Sequence, residues 1–372
     1  MDHVFLYGTL RHAGLLELVL GHMPPEARMQ AAKLEGHAVS RARGHGFPLI
    51  HKREGAAAEG ILLRDVDAAE RARLDHYELG FGYHLQELEI AGEPVLVYFP
   101  EAGLWEAAEP WSLEQWSAQD WPHVQYSAAE IMGYIDHVAA HDLAWRFPMI
   151  AARAHSKYLA SLETPPDTLR AARGATDVDV LEREVMHLGF FRTDAYKLQH
   201  RRHDGSMSGT LQREVFVAAD AALVLPYDPA SGRVMLVEQF RMGPLARGDK
   251  NPWVLEPIAG RIDAGETPEA AARRECLEET GLDIRSLVPA GGCYPSPGEV
   301  STYFHLFVGL ADLPDNAAGL GGLETEQEDI KSHVVSLTRA QELVESGEIN
   351  IGPLVQLLQW LLLHKSALDA RA

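Results

Sequence analysis

The chain reads as an α+β protein whose second half is α/β, assembled from two or three domains, and three features predict it. Residues 1–100 alternate short apolar runs with glycine-containing turns, residues 101–175 carry helical periodicity with regularly placed tryptophans, and residues 176–372 intersperse strands with an acidic helix and a closing apolar one. At 372 residues with 46% hydrophobic side chains, the chain can bury more than one core.

In the first part, "HVFLYGTL", "EGILLRDV", "YHLQELEIAG" and "EPVLVYF" read as strands. Next, Trp105, Trp111, Trp116 and Trp121 recur five or six residues apart, and a capping box from Ser127 to Glu130 opens a helix. Such large aromatics suit packing between domains, with a ligand groove as the alternative. "LETPPDTLRAARGATD" is the linker candidate, because Pro165 and Pro166 break any helix. Beyond it, "VFVAADAALVLPYD", "RVMLVEQFR" and "STYFHLFVGLADL" are strands, and "GPLVQLLQWLLLHKSALDA" is the closing helix. His200 and His203 belong to a basic hairpin and read as surface histidines.

A formal charge of -21 argues against nucleic acid and anionic membranes as partners, and no basic cluster opposes that reading. No apolar run approaches the ~18 residues of a spanning helix. Cys276 and Cys293 are the only cysteines, which suits a reducing compartment; a soluble cytoplasmic protein is expected.

The most informative stretch is "IAGRIDAGETPEAAARRECLEETGL", residues 258–282. Thr267 is an N-cap, Pro268 suits the first helical position, Glu269 faces the positive helix end, and Gly281 provides the left-handed stop. On that helix Glu275, Glu278 and Glu279 project from nearly one face. Unpaired they repel, so a hard divalent cation such as Mg2+, or Mn2+, would offset the repulsion. Gly260 permits a close backbone approach, and Glu266 is placed to pair with Arg274.

The spacing G-x5-E-x7-R-E-U-x-E-E-x-G-U, with U apolar, resembles the Nudix box of hydrolases that cut nucleoside diphosphates linked to another group. Cys276 stands where an aliphatic residue is usual, and serves as a small hydrophobe. The resemblance extends from about Leu181 to Leu368, through "GFFRTDAYKLQHRR", "VEQFR", "SPGEVS" and "ETEQEDIKSHVVSL", to the ADP-ribose pyrophosphatase branch, and implies an α/β/α sandwich over residues 176–372. It further implies Mg2+ held by the Ala259 carbonyl, Glu275, Glu279 and Glu328, with Glu278 supporting and Glu326 activating water. Arg213 and Arg241 would neutralise phosphate or ribose oxygens, and Phe190 would stack on adenine. Thr302 stands where that branch has glutamate, with Glu299 nearby. The implied reaction is hydrolysis of ADP-ribose to AMP and ribose 5-phosphate by a homodimer, the latter also suggested by the apolar stripe "LVQLLQWLLL". The alternatives are another nucleotide sugar such as GDP-mannose, or a sensor that binds ADP-ribose without turnover.

In the first part, Tyr7, Gly8, Thr9 and Leu10 form a strand end that can present successive backbone N–H groups to a carboxylate or oxyanion. With "GFP" at 46–48 and "LDHYE" at 74–78, residues 1–100 resemble the γ-glutamylcyclotransferase-like, or AIG2-like, family, whose fold is a mixed β-barrel. In that family one glutamate shuttles a proton during release of an amine from a γ-glutamyl compound, and Glu78 matches it; a retained docking scaffold is the other reading. Residues 101–175 are then a helical connection. A fusion of this kind is similar to proteins grouped in the tellurite-resistance TrgB family.

Overall fold

The computed structural model describes residues 1–164, 166, 168–322 and 328–370. The chain divides into two units, Met1–Thr164 and Pro165–Ala372.

The first unit runs β1 (Asp2–Leu6), α1 (Ala13–Leu20), β2 (Met29–Ala42), β3 (Pro48–Val66), α2 (Ala68–Glu78), β4 (Tyr83–Ile90), β5 (Glu93–Pro100), β6 (Ala107–Pro110), α3 (Leu113–Gln119), α4 (Trp121–Met132) and α5 (Leu143–Leu162). Its sheet has the order β4-β5-β1-β3-β2-β6, with β1 antiparallel to β3 and parallel to β5. Phe5 and Tyr7, Leu34, Ile50 and Leu62, Ile90, and Val95, Val97 and Phe99 meet in a single buried cluster. Strands β1 to β5 therefore curl around one interior, as the expected mixed barrel does. A reciprocal capping box between Asp67 and Glu70 starts α2 and so fixes where Glu78, its last residue, emerges.

Two expectations for residues 101–175 differ from the structure. Helix α4 opens at Trp121, with a proline in its first turn, so Ser127 lies inside it and turns its hydroxyl back to the Val124 carbonyl, 2.9 Å away. The tryptophans are engaged within the first unit: Trp116 and Trp121 pack on His12, Trp105 on His45 and Phe47, and Trp111 donates to the Gly46 carbonyl. The helices up to Leu162 are accordingly part of this unit's packing, where a connection over 101–175 was expected. Glu130 and Arg153 tie α4 to α5 by an ion pair in which both side chains are almost fully buried.

The second unit runs β7 (Val178–Leu188), β8 (Arg192–His200), β9 (Leu211–Val217), β10 (Ala221–Asp228), β11 (Arg233–Phe240), α6 (Met242–Arg247), β12 (Trp253–Glu256), β13 (Ile258–Arg261), α7 (Pro268–Thr280), β14 (Ser286–Cys293), β15 (Phe304–Leu310), β16 (Leu320–Gly321), β17 (Ile330–Ser336), α8 (Leu337–Ser346) and α9 (Gly352–Asp369). Strands β7-β8-β9 make one antiparallel sheet. The larger sheet has the order β14-β15-β10-β11-β17-β16, with β12 added to β11 and β13 to β10. Alternation along β10 sorts the layers. Leu223, Leu225 and Tyr227 join the core shared with α8 and α9, which leaves Ala222 and Val224, equally buried, for the face that carries α7.

Most of the apolar stripe of α9 is spent inside this core: Leu354, Leu357, Leu358 and Leu361 are buried in it, while Leu362 and Leu363 stay exposed. Leu362 and Leu363 aside, the stripe is therefore no argument for a dimer. Among the described residues, no helix is long and apolar enough to cross a membrane.

Candidate active site

The acidic helix α7 begins and ends where its sequence dictates. Thr267 accepts from the Ala270 N–H at 3.1 Å, Pro268 occupies the first turn, and Gly281 closes the helix at φ 67°. Ala271, Ala272 and Cys276 face the sheet. Glu279 goes in with them and is only 1% exposed.

Arg274 organises the polar side. Its guanidinium holds both Glu266 oxygens, at 3.0 and 2.9 Å, and also reaches Glu275 at 2.6 Å, Glu278 at 3.0 Å and the Arg261 carbonyl at 3.0 Å. Glu266 in turn accepts from the Asp263 N–H, so the loop before α7 is laced to the helix. Glu278 is thus occupied by Arg274. Glu275 fills a space that only glycine leaves open: a Cβ on Gly260 would stand 1.8 Å from its Oε1.

Three carboxylates crowd this face. Burial pushes Glu279 up to about 9, with Glu275 and Glu328 adding repulsion against the pull of Arg241 and the Ala259 N–H. Burial likewise pushes Glu275 up to about 6, against Arg274 and with Glu278 and Glu328 adding to it. Oε2 of Glu279 is buried and has no hydrogen-bond partner among the described residues. A buried acceptor amid repelling carboxylates suits a hard divalent cation with oxygen ligands, while among the described residues no three acidic, histidine or cysteine side chains already converge as a metal cluster. On the far side, β16 closes on the end of α7, where a Cβ at Gly321 would lie 1.8 Å from the Glu279 carbonyl oxygen. Gly322 meets Glu328 in the same way, at 2.8 Å from its Cβ. Glu326 lies outside the described residues.

The other expected residues lie on other elements of this unit. Phe190 is half exposed, with its ring against Phe191 and the Arg261 guanidinium 5.3 Å from its centre. Arg241, just after β11, gives its Nε to Glu256 at 2.6 Å. Arg213 lies on β9 opposite Tyr196 and lines an open cavity of about 420 Å³ on the small sheet, together with Glu182, Glu184 and Lys197. No hydrogen bond or ion pair among the described residues joins Arg213 to the box. Thr302 is buried, and Glu299 accepts from the Ser296 hydroxyl. Sequence reading missed Arg261 and Glu256. Only the break of an apolar run by a charge in "WVLEPIAG" marked the latter.

The first unit holds a second constellation. Glu78 is pushed up to about 7 by burial, with Tyr7 and Tyr83 close enough that its charge raises theirs. Tyr7 donates to the Tyr98 carbonyl at 2.8 Å and Tyr83 to the Pro48 carbonyl at 3.0 Å. Tyr98, which the sequence did not single out, donates to Asp75 at 2.6 Å. Leu10 is buried in the short turn of helix at Thr9–Arg11. Among the described residues, none accepts from the backbone N–H of Gly8, Thr9 or Leu10. Pro48 presses on Gly8 so closely that a Cβ there would lie 2.6 Å from its Cγ.

Comparison with known proteins adds to this geometry. Residues 217–358 match the NUDIX domain family, and residues 4–122 match the family described as gamma-glutamyl cyclotransferase, AIG2-like. An ADP-ribose pyrophosphatase of Escherichia coli is 41% identical over 203 residues, 55% of this chain and 96% of the relative. One of Haemophilus influenzae is 37% identical over 195 residues, 52% of this chain and 89% of the relative. A GDP-mannose pyrophosphatase of Citrobacter koseri is 34% identical over 157 residues, 42% of this chain and 80% of the relative.

Proposed function

Because the chain belongs to the NUDIX family, on the side of its ADP-ribose pyrophosphatases, we propose that its second unit hydrolyses the diphosphate of ADP-ribose to AMP and ribose 5-phosphate. The observation that carries this reading is the carboxylate face of α7, with Gly260 making room for Glu275 and Glu279 buried beside it. All the box carboxylates are retained, which favours turnover over a sensor. In this reading Glu275, Glu279, Glu328 and the Ala259 carbonyl hold Mg2+, with Mn2+ an acceptable substitute. The bound ion would cancel charge on the bridging phosphates.

The chain's own residues do the rest. Phe190 offers its half-exposed ring to the base, and Arg241 offers its guanidinium to a phosphate oxygen. Glu326 is the proposed acceptor of the water proton as water attacks one phosphorus and the bond to the bridging oxygen breaks. Incubating the full chain with ADP-ribose and Mg2+ tests the reading: AMP and ribose 5-phosphate must appear together. GDP-mannose is the second substrate to try, since a relative is named for it. We infer a homodimer as well. Val180, Leu181 and Met186 of β7 leave more than half their surface exposed, a better reason than the closing helix. Light scattering on the full chain decides it.

For the first unit we propose a γ-glutamyl compound as ligand, with Glu78 moving the proton and the N–H groups of Gly8, Thr9 and Leu10 receiving an oxygen. A carboxyl held neutral to about pH 7 is suited to that exchange. Release of 5-oxoproline from a panel of γ-glutamyl amines, absent with Glu78→Gln, is the test.

A further inference from the structure

We propose that Glu256 is a positioning residue of the diphosphate site, holding Arg241 by its Nε edge so that the two terminal nitrogens are delivered to a phosphate oxygen. The inference rests on reading the α7 face as a nucleoside diphosphate hydrolase. Strand geometry brings the two residues together. In the β11–β12 ladder Val237 stands opposite Glu256 and Gln239 opposite Val254, so Gln239, Arg241 and Glu256 fall on one side of the hairpin. The Arg241 N–H is fixed to the Pro252 carbonyl at 2.9 Å, which sets where its side chain starts.

The pair is asymmetric in a useful way. The Glu256 side chain is 14% exposed and that of Arg241 41%, so the anchor is buried and the tip is open. The contact uses Nε alone, and among the described residues the terminal nitrogens of Arg241 have no acceptor. Glu256 has Arg241 as its partner and no other among the described residues; Gln239, buried alongside, leaves its own Nε2 unpaired. Burial raises Glu256 even with Arg241 beside it, so an anionic Glu256 depends on that guanidinium. Only Pro257 separates Glu256 from β13, the strand that carries Ala259 and Gly260, so one rigid turn sets both the anchor and the cradle of the carboxylates.

Steady-state kinetics of the full chain on ADP-ribose with Mg2+ test the proposal. Arg241→Ala and Glu256→Ala should each raise KM about tenfold while kcat stays within about threefold, as loss of a positioned ground-state contact requires. The double variant should be no worse than Arg241→Ala alone, because Glu256 acts only through Arg241. Glu256→Gln keeps an oxygen that accepts from Nε and should recover most of the loss. Should Glu256→Ala fail to fold, Glu256→Met, which fills the volume without an acceptor, is read in its place. An unchanged KM, or losses that multiply in the double variant, overturns the positioning role while leaving the hydrolase reading intact. A wild-type chain that turns over neither ADP-ribose nor GDP-mannose overturns both.

Discussion

Gly260 and Glu275 compete for one volume: a Cβ on residue 260 would stand 1.8 Å from Oε1 and 1.9 Å from the carboxyl carbon of Glu275. The carboxylate can occupy its place, beside Arg274 and beneath the turn, only because that methyl group is missing. Gly260→Ala must therefore push Glu275 out. The expected result is a fall in turnover of about a hundredfold or more with a modest loss of stability, since the displaced side chain can move toward solvent. Kinetics and a melting curve on the same preparation check it; a variant with more than half the wild-type rate contradicts the assignment.

Glu279 is expected to separate activity from stability. It is buried and pushed up to about 9 by burial and by its acidic neighbours, so without a cation it folds protonated, at the cost of a proton that the unfolded chain releases near 4.5. Glu279→Gln should lose turnover by about a hundredfold or more, yet melt no lower than wild type in the presence of a chelator. A variant that is both active and destabilised would remove Glu279 from the set of metal ligands.

For Glu78 the prediction is a dependence on pH. Burial raises it from 4.5 to about 7 in the folded chain, so folding holds a proton that the unfolded chain releases earlier. The stability this contributes is complete below about 4.5 and is lost as pH rises through 7. Glu78→Gln is neutral throughout. It should melt together with wild type at acid pH, and above it by about 2–4 °C at pH 8 if the relief approaches 1 kcal/mol. Parallel curves across that range would mean that the carboxyl is solvated.

Arg153 and Glu130 form a buried pair, both side chains 1% exposed, that Tyr134 joins by donating to Glu130 at 2.7 Å. Removing the guanidinium takes the nearest cation from a buried carboxylate whose other cation, Lys157, is 4.0 Å away, so Arg153→Ala should destabilise the first unit by about 3–5 kcal/mol. Denaturant unfolding followed by tryptophan fluorescence measures this, and a loss under about 1 kcal/mol would show that water reaches Glu130.

What could be read from the sequence, and what could not, divides by the range of the interaction. The ends of α7, its buried face and the Glu266–Arg274 contact are set within about twenty residues by caps, periodicity and charge, and all are visible in the letters. Glu78 is singled out only by the family resemblance that short motifs carry, "LDHYE" at 74–78 among them. The pairing of Arg241 with Glu256 depends on the register of β11 against β12, which no local pattern states. Ser127 misled because a capping box can occur by chance inside a helix, and Pro122 was the better sign of the start. The stripe on α9 is ambiguous for a different reason: apolar spacing shows that a face is buried and not which surface covers it.

The closeness of Gly322 to Glu328 bears on how this enzyme can diversify. Leu320 pairs with Lys331 and Gly321 with Ile330, so both ends of the intervening segment are already pinned together by a ladder and by backbone packed on α7. Closing a longer segment between fixed ends is inexpensive in chain entropy, about 0.6 kcal/mol for each doubling of length. Residues could thus be inserted after Gly322 without disturbing the placement of Glu328. Because Glu326 belongs to that segment, such an insertion would re-space the proposed proton acceptor while Glu275, Glu279 and Glu328 keep their places, giving directed evolution a separate handle on each part of the proposed chemistry.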